Sequence, residues 1–261
     1  MSQDDVYEVY AIRYATRDAK RADHFIGGDP HDAPMPMDYF VWVAKSTKHT
    51  FVIDTGFTAE VAASRKRTWL RCPVDSLALI GIDPAGVRDV IQTHLHYDHV
   101  GNFAKFPKAR FHLQEKELQY ATGRYASYAK IAHSFEVEDI CGMVRLNYAG
   151  RVEFYDGAEE LSPGLWIHPA PGHSAGLQMV RVKTRRGWVV VASDVAHYYE
   201  HIESERPFTT ALHIGQMMEG YRRLRRMAEK GDHVVPGHDP LVMKRHPAAR
   251  PELDGIVARL D

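Results

Sequence analysis

The chain has 261 residues, the length of one large domain or two small ones, and 44% of them are apolar, which is enough for a substantial core. Its formal net charge of −1 gives no electrostatic reason to expect nucleic-acid binding. No apolar run reaches the length of a membrane span, the acidic residues 1–5 lack the apolar core of a signal peptide, and Cys72 and Cys141 are too far apart in sequence to suggest a paired motif, so we expect free thiols in a cytoplasmic protein.

The first half of the chain is strand-rich, and no linker rich in Pro, Gly or Ser divides the sequence, which predicts a single domain over residues 1–261. Hydrophobic patterning predicts strands at residues 6–14, 39–44, 50–53, 87–93 and 110–114. A long loop, residues 15–36, follows the first strand. A helix is predicted at residues 58–67, with Thr58 available as its cap.

The pattern turns helical over residues 115–142, which we interpret as an insertion over the functional site; a helical layer packed only on the core fits the pattern equally well. The second half predicts strands at 152–155, 165–168, 177–182, 189–192 and 233–235, a long helix at 210–230 and C-terminal helices. Strands in both halves with helices between them predict an α/β fold of two packed sheets with helices outside.

Segment 93–99 carries the strongest chemical signal, because His94, His96, Asp98 and His99 fall within six residues. With 16 histidines in the chain, this pattern arises by chance with a probability of only ~0.3%. Imidazole and carboxylate groups are donors suited to a metal such as zinc. In an extended or tightly turned segment, the first three side chains can project to one side and His99 to another, so one loop can serve two neighbouring metals.

Three further donors follow apolar runs that we expect to be buried strands. His173 follows residues 165–169, Asp194 follows residues 188–192, and His238 follows residues 233–235. Loops held by rigid strands are common places for binding groups. The remaining histidines, among them His168, lack a comparable spacing and are expected to be structural.

The order of these donors resembles the metallo-β-lactamase superfamily, and residues 51–56 are similar to the strand and turn that this family carries upstream of its metal loop. The resemblance covers about residues 6–240 and implies an αβ/βα sandwich of two mixed sheets with helices outside. It also implies two divalent metal ions, zinc being favoured over Fe, Mn or Co. The implied ligands are His94, His96 and His173 for one metal, Asp98, His99 and His238 for the second, and Asp194 as the bridge between them.

Within this superfamily, the sequence is most similar to the N-acyl homoserine lactone lactonases, the quorum-quenching branch. The likeness rests on the first strand, the long loop, residues 37–42 and 52–56, and the metal motifs. It implies a small-molecule lactone as substrate, opened by a hydroxide that the two metals share, since metal coordination lowers the pKa of water toward ~7. Asp98 or Asp194 would carry the proton to the leaving oxygen.

One position departs from the lactonase pattern, because the usual Tyr three residues after the bridging Asp is His197 here. We predict that His197, or alternatively the adjacent Tyr198, donates a hydrogen bond to the lactone carbonyl. Residues 15–36 and 115–142 are predicted to wall the substrate pocket. The predicted apolar contacts in these walls are Phe25, Met35, Tyr125 and Tyr128.

Other activities share the seven donors. A glyoxalase II-type thioesterase would be expected to carry a helical C-terminal domain, whereas only residues 239–261 follow His238, and an RNase Z-like nuclease would be expected to carry a basic arm that this sequence lacks. A structural metal protein is a third alternative, but structural zinc sites are closed, four-ligand and often rich in Cys. The sequence is compatible with a homodimer and does not specify the oligomeric state.

Overall fold

The computed structural model describes residues 5–31, 33–228 and 230–261, except the side chain of Asp232. Residues 1–4 of the acidic N-terminus, residue 32 of the predicted loop and residue 229 of the predicted long helix lie outside the described residues. The strands are β1 (Glu8–Arg17), β2 (Met37–Lys45), β3 (Thr50–Ile53), β4 (Thr68–Trp69), β5 (Asp89–Ile91), β6 (Arg110–Gln114), β7 (Val152–Tyr155), β8 (Glu159–Ser162), β9 (Leu165–Pro169), β10 (Gln178–Thr184), β11 (Gly187–Ser193), β12 (Val234–Pro236) and β13 (Val257–Arg259). The helices are α1 (Arg21–His24), α2 (Ala59–Ser64), α3 (Glu115–Thr122), α4 (Ala129–Ala132), α5 (Val137–Tyr148), α6 (Tyr199–Ser204), α7 (Ile214–Met227) and α8 (Val242–Arg245).

The strands form two mixed sheets. The first has the order β13-β1-β2-β3-β5-β6-β7, with β4 paired to β1, and the second has the order β12-β11-β10-β9-β8. β3, β5, β6 and β7 run parallel, β11 and β12 run parallel, and the other pairs are antiparallel. The predicted α/β fold with two mixed sheets is therefore confirmed.

The core is divided by the first sheet, because both of its faces are buried. Along β1, Val9 and Ala11 pack into the cluster shared with the second sheet, whereas Tyr10 and Ile12 pack into a cluster shared with the helices outside. Alternate side chains of a strand point to opposite faces, so a strand buried on both faces is apolar at nearly every position. On the far side of the second sheet, α7 packs through Leu224 and its neighbours onto β11.

The helical predictions are partly confirmed. The hydroxyl oxygen of Thr58 caps α2 by accepting a hydrogen bond from the amide of Val61 at 3.3 Å, although the helix ends at Ser64. Residues 115–142 are helical through α3, α4 and the first half of α5; their status as an insertion into a single domain stays a prediction. None of the helices in the described ranges combines the length and the hydrophobicity needed to cross a membrane.

The C-terminal prediction is partly wrong, because the chain ends in a strand. After the short α8, β13 pairs antiparallel with Tyr10, Ala11 and Ile12 of β1. Three residues are too few for alternation to identify a strand, and its pairing partner lies at the other end of the sequence. The sequence did not predict β4, β8 and α6, because these elements are also too short to show a period of hydrophobic residues.

Candidate metal centre

The predicted metal loop begins directly after β5 and is fixed by Asp54, which follows the neighbouring β3. One oxygen of its buried carboxylate accepts from the amide of Thr93 at 2.7 Å, and the other accepts from the Thr93 hydroxyl at 2.7 Å and from Nδ1 of His99 at 2.6 Å. Asp54 has a φ of 62°, which is uncommon for a residue other than glycine. Because Nδ1 of His99 is held by a carboxylate, its Nε2 is left as the metal-binding nitrogen.

A second carboxylate ties the metal loop to the loop that carries His173. Glu117 of α3 is fully buried, and its oxygens accept from the Leu95 amide at 3.0 Å, the Ser174 hydroxyl at 2.7 Å and the Gly176 amide at 2.8 Å. Burial raises the pKa of Glu117, although these donors oppose the shift. The sequence does not identify Glu117, since nothing in its local pattern separates it from the solvent-facing glutamates of an ordinary helix.

The seven predicted ligands are buried and converge on one point. The carboxylate of Asp194, directly after β11, lies between two groups of histidines. Its Oδ1 is 3.3 Å from Nε2 of His99 and 3.1 Å from Nε2 of His238. Its Oδ2 is 3.2 Å from Nε2 of His173 and 3.9 Å from Nε2 of His94. His99 lies on the Oδ1 side and His173 on the Oδ2 side, whereas Nε2 of His238 is also 3.3 Å from Oδ2, so the carboxylate lies between the histidines as a bridging ligand would.

Four groups of three side chains have donor atoms within 4.8 Å of one another. Two of them are the predicted sets, which are His94, His96 and His173, and Asp98, His99 and His238. The other two contain Asp194, once with His94 and His99 and once with His173 and His197. Within the described residues, Nε2 of His94, His99 and His173 and Oδ1 of Asp194 are buried without a hydrogen-bond partner. Buried polar atoms are rarely left unpaired. Divalent cations would satisfy these atoms, so the residues present fit two metal ions.

The outer nitrogens of these rings are held by oxygen acceptors. Nδ1 of His173 donates to the carbonyl of Thr210 at 2.7 Å, and Nδ1 of His238 donates to the carbonyl of Asp38 at 2.8 Å. These bonds set each tautomer and each ring orientation, and they direct Nε2 inward. The centre is therefore preorganised by the backbone around it.

Electrostatics favour the protonation states that ligands need at His94, His96 and Asp194, whereas nearby carboxylates outweigh burial and raise the pKa of His99 and His238. Burial lowers the pKa of His94 and His96 well below the usual value, which keeps both imidazoles neutral. Burial would raise the pKa of Asp194, but the charges of His238, His99 and His197 outweigh it and lower that pKa well below its usual value. Asp194 is therefore an ionised carboxylate.

Of the two candidate hydrogen-bond donors, His197 lines the cavity next to the metal centre. Its Nε2 donates to Oδ2 of Asp194 at 2.9 Å, and its ring stacks on Phe208 with centroids 3.7 Å apart. The Tyr198 hydroxyl points elsewhere, since it donates to the carbonyl of Pro36 at 3.1 Å and lies 3.1 Å from Nε2 of His24. His197 therefore lies at the site, whereas the Tyr198 hydroxyl forms its hydrogen bonds with the loop of residues 15–36.

The cavity above the centre has a volume of about 130 Å³ and draws on both predicted wall segments. Arg17, Asp23 and His24 come from the first segment, and His133 and Ser134 come from the second. Apart from His133, a histidine of the predicted helical segment, none of these residues was predicted individually. The other side chains on the cavity wall were not predicted either, and they are Met37, Tyr39, Arg67, Tyr97, Phe208, Thr209 and Thr210.

The four predicted apolar contacts are not among the residues that line the cavity. Phe25 is buried against the ring of His201, and Met35 packs on the core behind the wall. Tyr125 and Tyr128 are 48% and 60% exposed and stack on each other on the outer surface. The prediction placed the segments near the site but not their side chains, because loop composition does not reveal which way a side chain turns.

The comparison with known families agrees with this geometry. The model of the metallo-β-lactamase superfamily matches residues 36–238. The chain belongs to the metallo-β-lactamase superfamily. Among curated members of that superfamily, it is 30% identical over 231 residues to the N-acyl homoserine lactonase AttM of Agrobacterium fabrum, covering 82% of this chain and 85% of the relative. It is 27% identical over 168 residues to the N-acyl homoserine lactonase AiiA of Bacillus thuringiensis subsp. kurstaki, covering 64% and 61%.

Solved structures of the superfamily share the fold. A quorum-quenching N-acyl homoserine lactone lactonase superposes with a TM-score of 0.76 at 21% identity, covering 91% of this chain and 94% of the other. The hydrolase AbOPH superposes with a TM-score of 0.67 at 17% identity, covering 99% and 98%. At these identities the superpositions extend the fold assignment to nearly the whole chain.

Proposed function

We propose that the protein is a binuclear metal-dependent lactonase that opens the ring of N-acyl homoserine lactones. One observation carries the proposal: two sets of metal donors share the carboxylate of Asp194 beneath a cavity walled by both predicted segments. The activity named for the curated relatives supports this substrate class.

His94, His96 and His173 would hold one ion and Asp98, His99 and His238 the other, with Asp194 between them. Two divalent ions in such a site acidify water and polarise a carbonyl, so no Ser or Cys nucleophile is required. This chemistry suits a site whose donors are all His and Asp. We favour zinc because imidazole and carboxylate ligands suit it.

The chain's own groups complete the site. His197 lines the cavity beside Asp194, and its Nε2–H, which donates to Oδ2 of Asp194 in the structure, would exchange that partner for the ring carbonyl, where negative charge develops. Asp98 also lines the cavity and is 8% exposed, so it is placed to take up a proton and deliver it to the leaving ring oxygen. The walls limit the access of bulk water, which strengthens both interactions.

A cytoplasmic location is part of the proposal, supported by the free thiols of Cys72 and Cys141, which are typical of a reducing compartment.

A pH-stat assay of the metal-loaded protein tests the function. The panel holds short- and long-chain N-acyl homoserine lactones, a γ-lactone without the amide, a glutathione thioester and a phosphodiester. We expect acid release from the homoserine lactones to exceed that from the other compounds. Turnover confined to the thioester or the phosphodiester would replace lactonase with one of those activities.

A further inference from the structure

Two arginines, Arg17 and Arg67, line the cavity wall. Arg17 is the last residue of β1, and Arg67 directly precedes β4. These strands pair antiparallel, with Ala15 opposite Trp69 and Thr16 opposite Thr68. Continued by one position, this register would set Arg17 opposite Arg67. Residues opposed in this way have their Cβ atoms about 5 Å apart and point to the same face, so we infer that the two side chains are neighbours.

Among the residues that the structure describes, neither guanidinium has a carboxylate partner. Arg67 donates from Nε to the Tyr97 hydroxyl at 3.0 Å and from Nη1 to the Arg65 carbonyl at 2.7 Å. Nε of Arg17 is buried and has no hydrogen-bond partner among the described residues. By contrast, the nearby Arg65 forms an ion pair with Glu136 at 2.6 Å. Like charges opposed across two strands are unfavourable, and a bound anion would relieve that repulsion.

The other charged groups of the cavity form no close ion pair with these arginines among the described residues. Asp98 and Asp194 belong to the metal centre. Oδ2 of Asp23 already accepts from the amide of Lys20 at 3.0 Å. Burial lowers the pKa of His24 to about 4, so this ring is neutral at pH 7. The cavity therefore combines a metal centre with two cations that have no ion-pair partner in the described chain.

We propose that Arg17 and Arg67 bind a carboxylate at the end of the substrate's acyl group, so that the preferred lactone is an anionic one. The inference rests on the proposed lactonase function and narrows its substrate class. Guanidinium groups bind carboxylates through two parallel hydrogen bonds, a geometry that a neutral chain end cannot use.

A matched pair of substrates tests the inference: N-succinyl-homoserine lactone and its neutral amide, N-succinamoyl-homoserine lactone. We expect the wild-type kcat/KM for the acid to exceed that for the amide by about tenfold or more. Arg17→Gln should lower kcat/KM for the acid by about ten- to a hundredfold, mainly through KM, with little change for the amide. Arg17→Lys should retain part of the preference for the acid, because lysine keeps the positive charge but lacks the planar guanidinium that forms two parallel hydrogen bonds.

Arg88→Gln is the control, because it removes the same charge from an exposed residue just before β5, at the opposite end of that strand from the metal loop. Its preference for the acid should equal that of the wild type. Equal rates on acid and amide in the wild-type protein would overturn the inference, whether or not Arg17→Gln folds. So would a loss in Arg17→Gln that is equal for both substrates. If wild-type protein opens neither lactone nor any other homoserine lactone, the proposed function itself fails.

Discussion

The floor and the walls of the cavity are built differently. The floor carries the metal donors on loops that follow strands of both sheets, and buried acceptors such as Asp54 and the Thr210 carbonyl orient its rings. The walls come from residues 15–36 and from the helical segment 115–142, and ion pairs such as Arg21 with Glu200 at 2.6 Å and Arg206 with Asp29 at 2.8 Å join the first segment to α6 and the residues after it. From this difference we expect the floor to determine the reaction and the walls to determine which substrate reaches it.

Ligand removal should have the largest effect. His96→Ala or Asp194→Ala should lose metal and nearly all turnover, because each residue belongs to a donor set that the chemistry needs. The control is His168→Ala, which alters a half-buried histidine of β9 that does not line the cavity. Elemental analysis of protein purified without chelator should give close to two metals per chain for the wild type and for this control. Equal losses at His168 and His96 would show that the donor assignment is wrong.

The second-largest effect is expected at His197, which lies where the floor of the cavity meets its walls. His197→Ala should lower kcat by about ten- to a thousandfold, the range for one lost transition-state hydrogen bond, without changing the metal content. His197→Tyr should recover part of the loss. Tyr198→Phe removes a hydroxyl bonded to the Pro36 carbonyl and should instead cost about 1 kcal/mol in the free energy of unfolding. A silent His197→Ala together with a severe kinetic loss in Tyr198→Phe would transfer the role to Tyr198.

The floor was predictable from the sequence because its chemistry is local. His94, His96, Asp98 and His99 share one loop, and the remaining donors each follow an apolar run that marks a strand. The long strands and α7 were predictable for a similar reason, since each presents enough residues to reveal its period. Segment 115–142 was likewise recognised as helical.

The walls were not predictable from the sequence, because their side chains are selected by tertiary contacts. The pairing of Arg17 with Arg67 depends on β4, a strand of two residues. Glu117 is indistinguishable in sequence from an exposed glutamate until α3 packs against the metal loop. Phe25 is an aromatic residue of the kind that often contacts a substrate, yet its ring packs against the ring of His201. Periodicity gives the face of an element but not the direction of a loop side chain.

A moderate effect is expected at a residue that orients a metal ligand without being a ligand itself. Asp54→Asn replaces one carboxylate oxygen with an NH₂ group, which donates hydrogen bonds and cannot accept them. The single remaining oxygen cannot accept all three hydrogen bonds that the two oxygens of Asp54 accept from Thr93 and His99. We expect metal affinity or activity to fall by about ten- to a hundredfold, with the loss greater for the ion held by His99. A metal titration monitored by calorimetry measures it. Asp89→Asn is the matched control, because Asp89 bonds His112 at 3.0 Å at the other end of β5. Two unchanged binding steps in Asp54→Asn would show that this carboxylate does not orient the site.

The smallest effect should come from the outer surface of the walls. Tyr125→Ala and Tyr128→Ala remove exposed rings that stack on each other and do not line the cavity. Substitutions at such positions change stability by about 0.5 kcal/mol or less, and we expect kcat/KM for short- and long-chain lactones to stay within about twofold of wild type. His133→Ala, in the same segment but on the cavity, should change the ratio of these two constants severalfold. A change of chain preference in the Tyr variants with none in His133→Ala would mean that the substrate approaches over the outer surface, and that the walls described here are not the ones that select it.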